Sequence, residues 1–132
     1  MMLSPGTLVA VVDGETLNLF RNSGTHAPEL TALPSAPVPD RISGSAGHRS
    51  SSANPDNDTQ AEDGFAAGVA ALLNQKALSG EFDELVVIAA PRALGELRKH
   101  WHKVLEAKLV GEIAKDLRHQ SPDEIATVIA KA

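Results

Sequence analysis

The strongest constraint on the fold is a short apolar run that leads directly into a helix. Residues Leu85–Ile88 carry no charge, and three of the four are β-branched, which is typical of a strand buried on both faces of a sheet. Pro91 follows two alanines and can begin a helix without losing a hydrogen bond. Leu94, Leu97 and Trp101 then recur at helical spacing. The sequence therefore predicts a central strand that enters a helix at the sheet edge where α/β proteins bind ligands.

A second buried-strand pattern lies near the N-terminus. Thr7–Val12 is apolar after its first residue and ends at Asp13-Gly14, a strong hairpin turn signal. Glu15–Arg21 alternates in the manner of an antiparallel partner, and Glu29–Leu33 predicts a weaker third strand. Strands early in the chain and strand–helix alternation later predict an α/β fold, in which helices pack on a mixed sheet.

The region from about residue 34 to 58 differs in composition from the rest of the chain. It holds four of the eight prolines and six serines, so it is predicted to be a long flexible loop. Within it stand Arg41, Gly44, Gly47, His48 and Arg49. Glycine lets a backbone approach phosphate closely, and arginine pairs with phosphate. These residues are candidate RNA contacts, and the alternative is a solvated loop without a partner.

Helical patterns follow the loop and end the chain. A capping box begins at Thr59, and Gly80 is a stop signal for that helix. The last helix is predicted to begin with Ser121–Glu124, which combines an N-cap residue, a proline at the first position and a glutamate at the third. Between them, Leu105–Leu117 fits a helix by its four-residue repeat and an edge strand by its apolar content.

Charge and cysteine content narrow the classes of function. The chain has 132 residues, a net charge of −5 and no cysteine. Its length suits a single α/β domain, and the acidic balance argues against a general nucleic-acid coat but leaves a local basic patch open. The lack of cysteine excludes disulfides and thiolate metal sites. With no membrane-length apolar stretch and no secretory signal pattern, the chain is predicted to be cytoplasmic and not membrane-bound.

Three segments of the chain resemble a known family: VAVVDGETLNLF, DGFAAGVAALLNQKALSGEFDELVVIAAPRALGELR and KDLRHQSPDEI. They resemble the bacterial host attachment protein family, which is similar to the middle domain of archaeal and eukaryotic class 1 release factors. The most specific parts, Ala90–Arg98 and Lys115–Pro122, are not catalytic motifs. The resemblance implies a ribonuclease-H-like five-stranded mixed sheet in the order β-β-β-α-β-α-β-α. It also implies a fifth strand near Leu109–Lys115.

The resemblance also bears on activity. In release factors, the loop before the first helix carries Gly-Gly-Gln, which promotes peptidyl-tRNA hydrolysis. The corresponding region, Ser43–Arg49, reads SGSAGHR, so this hydrolase activity is not expected. The resemblance implies a non-enzymatic interaction module that contacts RNA or the ribosome through Arg41–Arg49. One alternative is a cytoplasmic protein that acts indirectly in cell attachment through a protein partner. A less favoured alternative is a metal-dependent nuclease or a peptidyl-tRNA hydrolase.

Few other residues lie in a sequence pattern that is typical of a binding or catalytic site. Arg92 lies in the first turn of a predicted helix, where backbone N–H groups favour an anion; the alternative is a surface arginine paired with an acid. Asp13 ends a strand where ribonuclease-H nucleases hold a metal, but a turn role is favoured because the central strand ends in alanine. His100 and His102 would point to opposite faces of a helix and cannot share a metal, and Trp101 is predicted to be core. No catalytic residue, metal or cofactor is predicted.

Overall fold

The computed structural model describes residues 3–12, 16–34, 38, 57–117 and 120–132, and it describes side chains of the first helix from Gly64 onward. In chain order the described elements are β1 (Leu8–Val12), β2 (Leu17–Asn22), β3 (Leu30–Ala32), α1 (Asn57–Leu78), β4 (Leu85–Ala89), α2 (Pro91–Arg98), α3 (Lys103–Lys108), β5 (Leu109–Ala114) and α4 (Pro122–Lys131).

The strands form one mixed sheet in the order β3-β2-β1-β4-β5. At its centre β1 and β4 pair in parallel, with Leu8 opposite Leu85 and Val12 opposite Ala89. β5 is parallel to β4, whereas β2 is antiparallel to both β1 and β3. The predicted five-stranded mixed sheet with packed helices is confirmed, and the three-stranded meander that begins it is confirmed with it. The ribonuclease-H-like assignment remains a prediction.

Both central strands are covered on both faces. Every residue of β1 and β4 is buried, and successive side chains point to opposite faces of a sheet. On one face, the alternate set that includes Leu85 and Val87 packs with α1, α2 and α3. On the other face, Val86 and Ile88 pack with Ile125 of α4. The absence of charge in these runs follows from this placement, because neither face reaches water.

The segment Leu105–Leu117, whose sequence fits both a helix and an edge strand, contains the end of a helix and a strand. α3 ends at Lys108, and the next residue, Leu109, is already extended, with φ −78° and ψ 110°. The predicted fifth strand is confirmed as Leu109–Ala114, while α3 is a short helix that the predicted element order lacks. Lys108 stabilises the junction, since its Nζ donates to the carbonyl oxygens of Ala77 at 3.2 Å and Phe82 at 2.8 Å.

Two predicted element boundaries are wrong. α1 begins at Asn57, so Thr59 lies inside the helix and does not precede it as a cap. α2 ends at Arg98, and Trp101 lies in the following turn, partly buried against the same core. The helix ends early because Lys99 N–H and His100 N–H bond three residues back, at 3.2 and 2.9 Å, which tightens the last turn and stops the α-helical ladder.

Two predicted helix ends are confirmed in atomic detail. Ser121 Oγ accepts from Glu124 N–H at 3.2 Å, and Glu124 Oε1 accepts from Ser121 N–H at 3.1 Å, which completes the capping box of α4. At the end of α1, Gly80 has a φ of 74°, a left-handed conformation that favours glycine. Gly80 N–H bonds Ala77 and Glu81 N–H bonds Lys76, as in a Schellman motif.

A buried amide ties the N-terminal segment to the β2–β3 turn. The Asn22 side chain, on a residue only 1% exposed, accepts from Gly24 N–H at 3.1 Å and Glu29 N–H at 2.9 Å. It donates to the carbonyl oxygens of Leu3, Ser4 and Gly24 at 3.0–3.3 Å. All of its hydrogen-bonding capacity is therefore used where water cannot take the place of a missing partner.

We expect Asn22→Ala to lower the free energy of unfolding by about 2–3 kcal/mol, because it leaves several buried backbone groups unsatisfied. Asn18→Ala is the matched control: Asn18 lies on the same strand but is exposed, and its substitution should change stability by less than about 0.5 kcal/mol. Urea unfolding of both variants measures the difference. Equal midpoints would contradict the structural role assigned to Asn22.

Candidate functional site

The carboxyl ends of three parallel strands meet at one edge of the sheet. Val12, Ala89 and Ala114 are opposite one another as the last residues of β1, β4 and β5. The segments that leave β4 and β5 therefore begin side by side. In open α/β sheets this carboxyl edge is where ligands bind, and we take it as the candidate site.

The N-terminus of α2 opens onto the carboxyl edge without a side-chain cap. Ala90 has the extended N-cap conformation, with φ −59° and ψ 153°, but it offers no side-chain hydrogen bond, and the first turn contains no acidic residue. α4 begins in the same way, with proline after an extended N-cap, yet there Ser121 completes a capping box. The partial positive charge at the start of α2 is thus not offset by its own first turn, and an anion is favoured there.

The region between β3 and α1 rejoins the described chain at the same edge. α1 leads into β4 through a short connection, so its C-terminus lies at the amino edge and its N-terminus at the carboxyl edge. α1 has 22 residues and β4 has five, which correspond to about 33 Å of helix and about 17 Å of strand. Only six residues separate the end of α1 at Leu78 from the start of β4 at Leu85, so the excess length lies at its N-terminal end. Asn57 therefore projects beyond the carboxyl edge.

The structure places one of the predicted contact residues and not the others. Arg92 is exposed in the first turn of α2, at the carboxyl edge, as predicted. Arg41, Gly44, Gly47, His48 and Arg49 lie outside the described residues, and so does Asp13. Val38, by contrast, packs partly buried against the core on the α1 face.

Lys115 is a second cation at this edge, and the sequence patterns did not single it out. It is exposed and directly follows Ala114, the residue opposite Ala89. Asp116 comes next in the chain, so the edge carries both signs of charge. The sequence does show that Lys115 follows the predicted fifth strand. That position indicates the carboxyl edge only once β5 is known to be parallel to β4.

The described residues contain no group of three or more His, Asp or Glu that could hold a metal ion. His100 and His102 lie in the turn between α2 and α3 and not on one helix, as the prediction had assumed. His102 Nδ1 accepts from Val104 N–H at 3.0 Å, and His100 Nε2 lies 3.6 Å from Glu96 Oε1. Among the same residues, no helix has both the length and the apolar character needed to cross a membrane.

Comparison with protein-family models identifies the wider relationship. Residues 6–129 match the model of bacterial archaeo-eukaryotic release factor family 12. The chain belongs to this family. The match extends from just before β1 to the last turn of α4, and it confirms the predicted similarity to release factors. No curated protein matches the chain, and a role in host attachment remains a prediction.

We expect Ala90→Ser to stabilise the protein by about 1 kcal/mol, because serine at an extended N-cap accepts a hydrogen bond from the first turn. Ala93→Ser is the control inside that turn, where serine should cost about 0.5–1.5 kcal/mol, because its helix propensity is lower than that of alanine and Ala93 is partly buried against the core. Chemical unfolding measures both changes. If Ala90→Ser gives no gain, the start of α2 is satisfied in another way and is not open to an anion.

Proposed function

We propose that this chain is a non-enzymatic interaction module of translation, which contacts RNA or the ribosome at the carboxyl edge of its sheet. The contact comprises Arg92 and the segment Arg41–Arg49. The observation that carries the proposal is membership of a release-factor family over almost the whole chain, combined with an uncapped helix N-terminus at the carboxyl edge.

Phosphate is the ligand that this edge suits best. The first turn of α2 supplies a partial positive charge, and Arg92 supplies a guanidinium group that pairs with phosphate. Lys115, directly after the neighbouring strand β5, adds a second cation. Because the whole chain carries a net charge of −5, binding should be confined to local basic groups and should weaken as salt is added.

The proposal that the chain is not a hydrolase comes first from the sequence of Ser43–Arg49. Ser43–Arg49 carries no Gly-Gly-Gln, the group that the release-factor resemblance associates with peptidyl-tRNA hydrolysis. The central strand ends in Ala89-Ala90 and provides no carboxylate to the edge, whereas two-metal phosphodiester hydrolysis needs several carboxylates. What the edge offers instead is the two cations Arg92 and Lys115, with Asp116 next to Lys115 in the chain, and the cations support binding.

Sedimentation with purified ribosomes tests the proposal. The wild-type chain should pellet with ribosomes at low salt and should be released as salt rises. The triple variant R41Q/R49Q/R92Q should remain in the supernatant, since it removes the three arginines assigned to the contact. Lys131→Gln is a control for the loss of one positive charge away from the contact, because Lys131 lies in the last turn of α4 on the opposite face of the sheet.

Two results would contradict the proposal. A wild-type chain that stays in the supernatant at low salt does not bind ribosomes. Release of peptide from peptidyl-tRNA above the uncatalysed rate would show that the chain is an enzyme. Circular dichroism of each variant verifies that the substitutions leave the fold intact.

A further inference from the structure

We propose that the turn between α2 and α3, Arg98–Lys103, is a second RNA-contacting surface that binds phosphate groups of a single strand. This inference rests on the proposed function, because it takes RNA as the partner. The turn is distinct from the carboxyl edge. α2 leads away from that edge, and the turn is tied to Asn74, four residues before the C-terminal end of α1 at the amino edge.

The sequence of the turn concentrates positive charge in an acidic protein. Its six residues, RKHWHK, include three of the twelve Lys and Arg and two of the five His, with no acid. The rest of the chain contains nine Lys and Arg and all seventeen acidic residues. Such a run is a sequence signal for a nucleic-acid patch, and it becomes visible only when the two histidines are taken together with their basic neighbours.

The cations of the turn point outward, and their acidic partners lie further in. The Arg98 side chain is 57% exposed against 22% for Glu112, which lies 3.1 Å from it. The Lys99 side chain is 69% exposed against 19% for Glu96, at 3.0 Å. The hydrogen bond from Lys99 is the largest cause that lowers the pKa of Glu96, so this carboxylate is charged and offsets part of the positive charge. Lys103 is exposed and has no acidic partner among the described residues.

The turn is held in one conformation by contacts from outside it. Asn74 Nδ2 donates to the His100 carbonyl oxygen at 2.8 Å, and Asn74 Oδ1 accepts from His102 N–H at 2.9 Å. The indole of Trp101 packs against the core as a further anchor. Because the backbone is already ordered, binding costs little conformational entropy at this surface.

The histidines of the turn provide hydrogen-bond donors. His102 Nδ1 accepts from Val104 N–H, so in the neutral ring the proton lies on Nε2, and the exposed side chain can donate it to a phosphate oxygen. His100 is paired with Glu96 at 3.6 Å and is 40% exposed in its side chain. Charge–phosphate pairs supplemented by side-chain hydrogen bonds are the usual contacts to a nucleic-acid backbone.

The chemistry of the turn favours RNA over a protein partner. The turn offers no exposed large apolar side chain, because its single aromatic residue faces the core. The centres of protein interfaces are depleted of charge and enriched in exposed aromatic anchors. A cationic turn without such an anchor matches a phosphate backbone, and an acidic polypeptide becomes the competing outcome of the test.

Salt-dependent binding of a fluorescein-labelled single-stranded RNA of about 20 nucleotides to the full chain tests the inference. The slope of log K against log salt should fall in magnitude by about 0.7 for each phosphate that a variant no longer neutralises. Lys99→Gln and Lys103→Gln should each show this fall. Lys131→Gln makes the same charge change on α4 and should leave the slope unchanged. Lys103→Gln is the variant whose effect is simplest to interpret, since it breaks no ion pair among the described residues.

Tryptophan fluorescence provides a local readout that a remote contact would not give. Trp101 is the only tryptophan in the chain and lies inside the turn. RNA binding there should change its emission in the wild type and in R41Q/R49Q/R92Q, and the change should weaken in Lys103→Gln. Unchanged emission at saturating RNA overturns the inference.

The outcomes separate this inference from the proposed function. If R41Q/R49Q/R92Q reduces the slope but Lys99→Gln and Lys103→Gln do not, the proposed function stands and the second surface is wrong. If only the turn variants reduce the slope, the second surface stands and the carboxyl-edge contact is wrong. Failure of the wild type to bind RNA, or binding of polyglutamate in its place, overturns the second surface.

Discussion

The parallel pairing of β1 with β4 is the constraint on which the rest of the structure depends. Both strands are wholly buried, so each needs a helical layer on each side. Full burial of a valine, leucine or isoleucine contributes roughly 1.5–3 kcal/mol relative to exposure, whereas a surface ion pair such as Arg98–Glu112 contributes at most about 1 kcal/mol. Burial of the central strands therefore decides the fold, and the ion pairs refine local geometry.

The same pairing places the candidate site. Since β1, β4 and β5 are parallel and end together, the segments that follow β4 and β5 emerge at one edge. α1 runs antiparallel to β4, so its first residue, Asn57, lies at that edge as well. Arg92, Lys115 and the uncapped N-terminus of α2 thus lie together because of strand direction. The chain belongs to a release-factor family, and an RNA or ribosome contact at this edge remains a proposal.

The sequence predicted the elements whose signals are local. Uncharged β-branched runs marked the central strands, Pro91 marked the start of α2, and the capping box marked α4. It did not separate α3 from β5, because leucines at 105, 109 and 117 satisfy a helical repeat and an edge strand alike. It placed Trp101 on a helix because the apolar spacing does not show where α2 ends, and the side chain of Asn74 that holds the turn after α2 is far away in the chain.

The candidate site was predicted only in part for the same reason. Arg92 follows from the strand-to-helix junction, which is contiguous in sequence. Lys115 joins it only through the pairing of β4 with β5, and the basic turn gains meaning only when its side chains are known to face outward. Arg41–Arg49 lies outside the described residues, so its part in the site remains a proposal.

Crosslinking in living cells would show where the chain touches RNA. After ultraviolet irradiation and recovery of the protein, mass spectrometry of its peptides identifies the residues that carry nucleotide adducts. We expect adducts on peptides that contain Arg41–Arg49 or Arg92, with ribosomal RNA or translation-associated RNA as the crosslinked species. Recovery of the protein without nucleotide adducts, or with adducts confined to α4, would contradict an RNA contact at the carboxyl edge.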